Sequence, residues 1–589
     1  MITLGINAAF HDSSAALVID GRLVAAAEEE RFTHVKHGKR PVPFTAWELP
    51  FHAIEYCLRE AGLNLADVNH VAYSYDPARF VRDRVQGDRI TLPLQPSAHD
   101  KGDWESVWDP LFASYLVNAP RQLASGAPHH LKKRFAGVRH DGPYRFHFID
   151  HHLAHQASAF LAAPFERCAV MTLDGRGEEA TTTYGVYRGG KAGRDGGGRY
   201  ERLGEVLMPH SLGMLYERIT SHLGFLHSSD EYKVMALAAL GRPTYLEAFR
   251  SLITLQDGGR YRIAAFDPAE LFGPERERGA ALEQRHFDVT ASLQRVLEDT
   301  VLQLAGWLRQ ATGEPHLAMA GGVALNCVMN AKLRDSKIFD EVWVQPAAGD
   351  AGTALGAALW VDGQARSGNA GVLAPRVWTM EHAYWGPGYS DDEIEQLLKW
   401  AKLPYRRLHD VAAETAELLL QDKIIGWFQG RMEFGPRALG ARSILASPLN
   451  PQMQARLNEL KDREDFRPVA PVVPEEDLAA WFTPADANGG SAPFMLFIYD
   501  VRPEQAHKIP AVCHADHTAR VQTVRRDTNP RYHDLLKAFG AKTGVPVLVN
   551  TSFNVRGEPM VCSPKDAINA FFSTPLDALV IGAFVVEKR

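Results

Sequence analysis

The sequence predicts an α/β protein made of two similar halves followed by a third α/β unit. The chain has 589 residues, enough for about three to five folding units at roughly 100–200 residues each. A β-hairpin opens the chain, and the same order of strand, turn and strand returns after residue 167. Helix-forming segments follow both hairpins, which indicates an internal duplication.

The first half opens with apolar runs that are separated by a turn over residues 7–14 and by Asp20-Gly21. Asp-Gly between apolar runs is a strong hairpin signal, so the runs are predicted to be strands. These strands are residues 2–6, 15–19 and 23–27, and a helix is predicted near residues 51–62.

The second half repeats this order. Its turn, Asp174–Gly177, follows a buried apolar run, and a Gly/Arg-rich tip spans residues 188–199. The predicted strands are residues 168–173, 181–187 and 203–208, with a helix near residues 291–311. Residues 77–142, between the halves, are rich in Pro, Asp, Arg and His, so we expect an insertion that covers or shapes a cleft.

An αβα series with a strand at Glu341–Gln345 continues to about residue 362, and Gly363–Pro375 has the composition of a linker. We therefore predict one domain over residues 1–375 and a second over residues 383–589. A single strand, Ala578–Val586, is expected to close the second domain.

Composition excludes several classes of protein. The 64 Lys and Arg residues stand against 71 Asp and Glu, giving a net charge of −7 and a pI near 6.4, so a nucleic-acid partner is not expected. No run reaches the 18 apolar residues of a membrane span, and the N-terminus does not resemble a signal peptide. The five cysteines are widely spaced, which predicts a reducing, cytoplasmic location without disulfides or structural zinc.

Four residues form a candidate metal site. His151 and His155 stand at i and i+4 of a predicted helix, while Asp174 and Asp350 each follow a predicted strand. This mixed nitrogen and oxygen set suits Fe(II), Mn(II) or Zn(II). The alternatives are surface or capping histidines, and aspartates that serve as turn residues or helix N-caps. His152 points elsewhere and is expected to be a supporting or core residue.

Two further segments could take part in chemistry. His11 lies in the first turn, which should face the Asp174 turn, and could act as a general base or simply bond to the backbone. Leu317–Asn326 is a strand that enters a Gly-Gly turn and then a helix. Its Gly321, Gly322 and Asn326 could contact a nucleotide, or the glycines could only allow close strand–helix packing.

A basic block lies in the third unit. Between Lys423 and Arg467 there are eight Lys and Arg residues against five Asp and Glu. Arginine forks and a lysine charge suit a site for phosphates, whereas Gly, Pro and Phe residues between the charges argue against a simple solvated face. The segments His514–Arg520 and Val547–Asn554 add polar groups suited to the same site.

These motifs resemble the bacterial O-carbamoyltransferases of antibiotic and nodulation-factor biosynthesis, such as the nebramycin and cephamycin enzymes. The motifs that carry the resemblance are Gly5–Asn7 with His11–Ala15, His151–His155, Asp174–Gly177, Gly321–Asn326 and Gly349–Gly352. The resemblance implies a duplicated actin/sugar-kinase-like (ribonuclease H-like) first domain. It also implies that His151, His155, Asp174 and Asp350 hold a metal, with Fe(II) favoured over Mg(II), Mn(II) or Zn(II), and that His11 acts on the acceptor hydroxyl.

The third unit resembles the family's second domain, a YrdC-like adenylate-forming α/β module. The resemblance implies that this module joins ATP and carbamoyl phosphate into carbamoyl-adenylate, and that the first domain passes the carbamoyl group to a hydroxylated small molecule. The implied phosphate and nucleotide binders are Arg437, Arg442, Lys461, Arg467, Arg520, Asn550 and Ser552. Residues 77–142, His210–Tyr216 and Glu231–Lys233 are expected to shape the acceptor pocket.

Three other functions are alternatives for a chain with these domains. Threonylcarbamoylation of tRNA uses related domains, but the acidic pI and the lack of a basic tail count against it. Carbamoyl transfer in hydrogenase maturation would need zinc-finger cysteine pairs. An actin-like nucleotide-binding protein without transfer chemistry would explain neither the histidine pair nor the basic block.

Overall fold

The computed structural model describes residues 1–38, 49–80, 115–125, 143–189, 197–369, 371–484 and 491–588. Most of the 77–142 insertion therefore lies outside the described residues. Within these ranges the protein is an α/β structure, as predicted. None of the helices described is long and apolar enough to cross a membrane.

The first two sheets have the same topology, which confirms the predicted duplication. In each, three antiparallel strands are followed by two parallel strands on the other side of the first. The first sheet, in the order β3-β2-β1-β4-β5, contains β1 (Ile2–Asn7), β2 (Ser14–Ile19), β3 (Arg22–Glu28), β4 (His70–Tyr73) and β5 (Arg145–Phe148).

The second sheet repeats this arrangement in the order β12-β11-β6-β7-β8. Its first three strands are β6 (Arg167–Leu173), β7 (Ala180–Arg188) and β8 (Arg199–Leu207). After a separate hairpin of β9 (Ile253–Gln256) and β10 (Arg260–Ile263), the sheet is completed by β11 (His316–Ala320) and β12 (Glu341–Val344).

One buried helix, Ala351–Ser367, joins the two halves. It approaches β1 at Gly5, where an added Cβ would lie 1.9 Å from the Ala354 carbonyl oxygen. It also approaches the helix His151–Phe160 at Gly356, where a Cβ would lie 1.8 Å from the Ala154 carbonyl oxygen. Only glycine permits these contacts, and they bring the start of this helix beside the two histidines.

The C-terminal unit is built on an eight-stranded mixed sheet in the order β13-β23-β22-β14-β15-β21-β16-β20, with a small sheet of β17, β18 and β19 beside it. The strands are β13 (Arg406–Arg407), β14 (Ile425–Phe428), β15 (Arg442–Ala446), β16 (Ala470–Pro474), β17 (Phe482–Thr483), β18 (Ile498–Val501), β19 (Thr518–Arg520), β20 (Gln522–Val524), β21 (Leu548–Ser552), β22 (Ala578–Ile581) and β23 (Phe584–Glu587).

Helices cover the sheets. Those of eight residues or more are Phe51–Glu60, His151–Phe160, Leu212–His222, Glu231–Ala238, Gln284–Thr312, Cys327–Asp335, Ala351–Ser367, Asp391–Trp400, Val411–Leu420, Met453–Leu460, Pro530–Thr543 and Pro564–Ser573. Shorter helices are Glu30–Thr33, Pro77–Phe80, Ala119–Ser125, Leu246–Leu252, Pro268–Phe272, Leu478–Trp481 and Pro503–Ala506. The helix expected near residues 291–311 begins earlier, at Gln284.

Two predictions about chain organisation are wrong. The expected linker begins inside a helix, because that helix continues to Ser367 and buried Gly363 packs against Leu373. Leu373 is itself buried and exchanges backbone hydrogen bonds with Gly198. The expected last strand is a hairpin, because the chain turns at Gly582, which has φ +55.

The N-terminal and C-terminal units share apolar packing. The core around the second sheet includes Phe434, Leu439 and Ala470 and the run Phe494–Leu496 from the C-terminal unit. Because this contact is apolar and buried, it favours a fixed relation between the two units. The limits 1–375 and 383–589 stay predictions.

Candidate active site

Four buried side chains converge between the two halves. We call them the histidine–aspartate group: His151, His155, Asp174 and Asp350. The Nε2 atom of His151 lies 3.7 Å from Asp174 Oδ2 and 3.5 Å from Asp350 Oδ1. The Nε2 atom of His155 lies 3.8 Å and 3.5 Å from the same two oxygens. The structure thus brings together the four residues that the sequence singles out, from a helix, a strand end and a helix start.

This group fits a divalent cation. Its four ligand atoms all lie within 4.8 Å of one another, and ligands about 2.1 Å from a tetrahedral ion lie about 3.4 Å apart. Both Nε2 atoms are buried and have no hydrogen-bond partner among the described residues. Two imidazoles and two carboxylates suit Fe(II), Mn(II) or Zn(II).

Neighbouring groups aim His151 at this site. The helix begins after Asp150, whose Oδ1 accepts the Leu153 N–H at 2.7 Å. His151 Nδ1 donates to the Ser74 carbonyl oxygen at 3.1 Å, because that oxygen can only accept, and this leaves Nε2 as the ring nitrogen turned toward the two aspartates. Glu178, which the sequence did not single out, accepts the His151 N–H at 2.9 Å. Burial, reinforced by Asp150, raises the pKa of Glu178 to about 7.

The two aspartates are not mere turn or capping residues. Asp350 occupies the N-cap position of its helix, but its side chain makes no capping bond and faces the histidines instead. Asp174 accepts the Gly322 N–H at 2.7 Å through Oδ1 and turns Oδ2 toward the histidines. Burial alone would raise the pKa of Asp350, but His11 and His151 hold that pKa well below its ordinary value.

His152 lies apart from this group, as expected. Its Nδ1 lies 3.1 Å from Thr183 Oγ1, and its side chain is fully buried. Burial lowers the pKa of His152 to about 3, so it is a neutral core residue at physiological pH.

His11 lies at the edge of the histidine–aspartate group. Its Nε2 is 3.8 Å from Asp350 Oδ2, so the first turn meets Asp350. Its Nδ1 is 2.9 Å from Asp12 Oδ2, and Asp12 Oδ1 is 2.8 Å from His37 Nδ1. The side-chain amide of Asn7 donates to the carbonyl oxygens of His11 and Asp12 at 3.0 Å and 3.1 Å. The turn is therefore held in one conformation.

The Gly-Gly segment has internal partners. Gly321 has φ +96, and an added Cβ would lie 2.2 Å from the Leu173 carbonyl oxygen, so close packing requires this glycine. The Gly322 amide is taken by Asp174. Asn326 caps the helix Cys327–Asp335 and exchanges hydrogen bonds with Gln294. These contacts favour the packing interpretation, and nucleotide binding by Gly321, Gly322 and Asn326 stays a proposal.

Five cations of the C-terminal unit form what we call the basic cluster: Arg437, Lys461, Arg463, Arg467 and Arg520. Burial, together with Arg520, lowers the pKa of Arg437 to about 9. Burial, together with Arg467, lowers the pKa of Arg463 to about 9. Buried nitrogens of Arg437, Arg463 and Arg520 lack hydrogen-bond partners among the described residues. A bound polyanion would relieve this repulsion and accept these hydrogens.

Ser552 contacts the basic cluster, whereas Asn550 contacts the loop that carries Arg437. Lys461 Nζ donates to Ser552 Oγ at 2.9 Å and to Asn554 Oδ1 at 2.7 Å. Asn550 is buried and donates to Gln522 Oε1 at 2.7 Å and to the Ala438 carbonyl at 3.1 Å. Asn550 therefore supports the loop that carries Arg437.

The predicted role of Arg442 as a phosphate binder needs a correction. Its side chain is fully buried, and its guanidinium lies 3.7 Å from the centre of the Phe428 ring. It donates to the backbone carbonyls of Pro387, Gln429, Gly430, Ala441 and Cys562. Because these carbonyls occupy its donors, the structure gives Arg442 a structural role in place of the predicted phosphate contact.

Arg442→Met should therefore destabilise the C-terminal unit. The substitution leaves buried carbonyls without donors, and we expect it to lower the free energy of unfolding by about 3 kcal/mol or more. Thermal and urea unfolding of the full chain would measure the change. Arg456→Met is the matched control, because Arg456 is partly exposed and should cost less than about 1 kcal/mol. Equal stability of the two variants would contradict the structural role.

Sequence patterns did not indicate which residues of the N-terminal unit border the basic cluster. Tyr232 lies under the Arg467 guanidinium at 4.7 Å, and Lys233 Nζ lies 2.9 Å from Glu464. Burial lowers the pKa of Lys36. Glu30 and Asp230 oppose that effect, and the nearby cations Arg467 and Lys233 add to it. The segment Glu231–Lys233, expected to shape an acceptor pocket, thus borders the basic cluster. No local sequence signal marks Lys36.

Comparison with known proteins places this arrangement in a family. The family model described as the carbamoyltransferase N-terminus matches residues 2–359, and the carbamoyltransferase C-terminus matches residues 416–588. Nodulation protein NolNO of Sinorhizobium fredii is 38% identical over 99% of this chain and 80% of its own. Nodulation protein NolO of Bradyrhizobium diazoefficiens is 42% identical over 75% of this chain and 79% of its own. The uncharacterized protein sll1178 of Synechocystis sp. is 39% identical over 99% and 96%.

The matched N-terminal region contains the duplicated sheets and the histidine–aspartate group, and the matched C-terminal region contains the basic cluster. Both parts of the site therefore lie within family-defining sequence. The chain belongs to the carbamoyltransferase family, and it is a carbamoyltransferase.

Proposed function

We propose that this carbamoyltransferase transfers a carbamoyl group to a hydroxyl of a small-molecule natural product, and that it uses ATP and carbamoyl phosphate. The C-terminal unit acts as a YrdC-like module that forms carbamoyl-adenylate. The N-terminal unit, an actin/sugar-kinase-like pair of halves, carries out the transfer. The family placement and the two kinds of polar site support this division of work.

One contact carries the proposal. Arg437 Nη2 of the basic cluster lies 3.4 Å from the carbonyl oxygen of Leu325 in the Gly-Gly segment. In the same segment, the Gly322 amide bonds to Asp174 of the histidine–aspartate group. The basic cluster and the histidine–aspartate group therefore lie on either side of one short segment, which suits an intermediate made at one and used at the other.

In the first stage, two polyanionic substrates meet. Water cleaves carbamoyl phosphate to carbamate and phosphate, and a carbamate oxygen then displaces pyrophosphate from the α-phosphorus of ATP. Arg437, Arg463, Arg467 and Arg520 supply guanidinium donors for the phosphate oxygens, and Lys461 supplies a point charge. Tyr232 presents its ring beneath Arg467 and holds that guanidinium in place.

In the second stage, the acceptor oxygen attacks the carbamoyl carbon while Nε2 of His11 takes the hydroxyl proton. The bond from that carbon to the phosphate oxygen breaks, and AMP leaves with the electron pair. Asp12 holds the other ring nitrogen of His11 at 2.9 Å and so keeps Nε2 turned toward Asp350. An Fe(II) or similar ion bound by His151, His155, Asp174 and Asp350 would supply a Lewis acid at this place.

Two of the alternative functions have less support. Membership in the carbamoyltransferase family argues against a nucleotide-binding protein without transfer chemistry. The net charge of −7 and the pI near 6.4 favour a small-molecule acceptor over tRNA. The 77–142 insertion and His210–Tyr216 remain our proposal for the acceptor pocket.

The first stage can be tested without knowing the acceptor. The protein, given ATP, carbamoyl phosphate and Mg(II), should release pyrophosphate, which a coupled assay measures. Arg467→Ala should lower kcat/KM by about 10- to 100-fold, because a charge-assisted phosphate contact contributes about 1.5–3 kcal/mol. Arg526→Ala is the control, because Arg526 is an exposed arginine of the same unit that pairs with Asp534.

Two outcomes would count against this assignment. Wild-type protein that releases no pyrophosphate would defeat the adenylate stage. Arg467→Ala protein that releases pyrophosphate as fast as Arg526→Ala would remove the basic cluster from it.

A further inference from the structure

A buried ion pair of the N-terminal unit holds a loop of the C-terminal unit. Glu28 Oε1 accepts the backbone N–H of Gly435 at 2.8 Å. Arg31 Nη2 donates to the Gly435 carbonyl at 3.0 Å and also lies 3.1 Å from Glu28 Oε1. The peptide groups on both sides of Gly435 are thus hydrogen-bonded to charged side chains of the N-terminal unit.

The pair is almost fully enclosed. Glu28 and Arg31 are each only 4% exposed, and Arg31 also pairs with Glu30 at 2.8 Å. Enclosing such charges costs several kcal/mol unless partners satisfy them. Here the partners lie about 400 residues away in sequence, so the contact forms only when the two units are docked.

The loop that contains Gly435 is also fixed by hydrogen bonds at its other end. Glu433 Oε1 accepts the N–H groups of Leu439, Ala441 and Arg442 at 2.7–3.2 Å. Gly435 has φ +117, and an added Cβ would lie 3.0 Å from the Pro346 carbonyl oxygen. Arg437 lies between these two anchors, with its Nε buried and lacking a partner among the described residues. The loop can therefore set where this guanidinium points.

We infer that Glu28 and Arg31 are positioning residues for Arg437, so that anion binding at the basic cluster depends on a side-chain pair of the N-terminal unit. This inference rests on the proposed function only in taking the basic cluster to bind a polyanion. Neither residue is a member of the basic cluster. Both act through the backbone of Gly435.

The test measures binding of inorganic pyrophosphate to the full chain by isothermal titration calorimetry. Glu28→Gln keeps the shape of the side chain but removes its charge, and it should raise the Kd by about 10-fold. Arg437→Ala should raise the Kd at least as much. In the double variant the Kd should match that of Arg437→Ala within about twofold, because the effect of Glu28 passes through Arg437.

A merely structural role would give a different pattern. General loosening would multiply with the loss of Arg437, so a further 10-fold rise in the double variant would overturn the inference. An unchanged Kd in Glu28→Gln, or no pyrophosphate binding by wild-type protein, would overturn it too. Binding without pyrophosphate release from ATP and carbamoyl phosphate would instead defeat the proposed function alone.

Two companion variants guard against misfolding. Arg31→Lys keeps a cation beside Glu28 and Glu30 but loses the fork that reaches Gly435, and should raise the Kd by about threefold to 10-fold. Arg334→Lys is the control, because Arg334 Nη2 donates to the Ile498 carbonyl at 3.0 Å across the same two units, away from the loop. Its Kd should equal that of wild-type protein, and an equal rise in both lysine variants would contradict positioning.

Discussion

His11→Ala should abolish carbamoyl transfer while leaving pyrophosphate release from ATP and carbamoyl phosphate unchanged. A positioned general base contributes about 10²- to 10⁴-fold, and His11 is held for that role by Asp12 and by the braced turn. Its side chain lies beside Asp12 and Asp350 of the N-terminal unit, whereas the basic cluster belongs to the C-terminal unit. The two stages should therefore separate in this variant.

The measurement combines two readouts on one preparation. A coupled assay follows pyrophosphate, and mass spectrometry follows carbamoylation of a panel of hydroxylated sugars, macrolides, cephems and aminoglycosides. His34→Ala is the control, because His34 is nearby in sequence and half-exposed and contacts Asp566 instead. Loss of both activities in His11→Ala would argue against separate sites, and full transfer would remove His11 from the reaction.

Asp350→Asn should strip the metal from the histidine–aspartate group. The change preserves size but replaces an anionic ligand by a neutral amide, and it removes charge that lies 3.5 Å from both histidine Nε2 atoms. Even changes outside the ligand set weaken metal sites by about 10- to 100-fold, so we expect a loss of at least about 100-fold in Fe(II) affinity. Elemental analysis after anaerobic loading and desalting measures the ion per chain.

The matched control for this prediction is Asp362→Asn. Asp362 lies on the same helix and is equally buried, but it pairs with Arg366. Its metal content should equal that of wild-type protein, and pyrophosphate release should persist in both variants. Equal metal content in Asp350→Asn and wild-type protein would contradict the four-residue site.

Local chemistry made much of the fold predictable. Asp20-Gly21 closes the first hairpin, and the repeated order after residue 167 produces a second sheet with the same strand order. The helix that starts after Asp150 places His151 and His155 one above the other, with ring centres 4.7 Å apart. Turn residues and side-chain periodicity act over a few positions, so these features can be predicted from the sequence alone.

Errors arose where composition has two physical explanations. The composition of Gly363–Pro375 suggested a linker, yet Gly363 lies within the helix Ala351–Ser367 and packs against Leu373, because glycine also permits close contact. The apolar run after Ala578 suggested one strand, yet Gly582 turns it into a hairpin. Arg442 suggested a phosphate contact, yet its donors are taken by backbone carbonyls, which no neighbouring residue type reveals.

The sequence by itself determined the α/β class, the duplication and the four residues that converge as a candidate metal site. Each of these follows from patterns within short segments and from their order along the chain. Only the tertiary structure decided which charges face one another. The Tyr232 ring packs against Arg467, and Glu28 accepts the Gly435 amide, although these partners are far apart in sequence. Burial and partner choice depend on how the units dock, and that information is held by the whole fold.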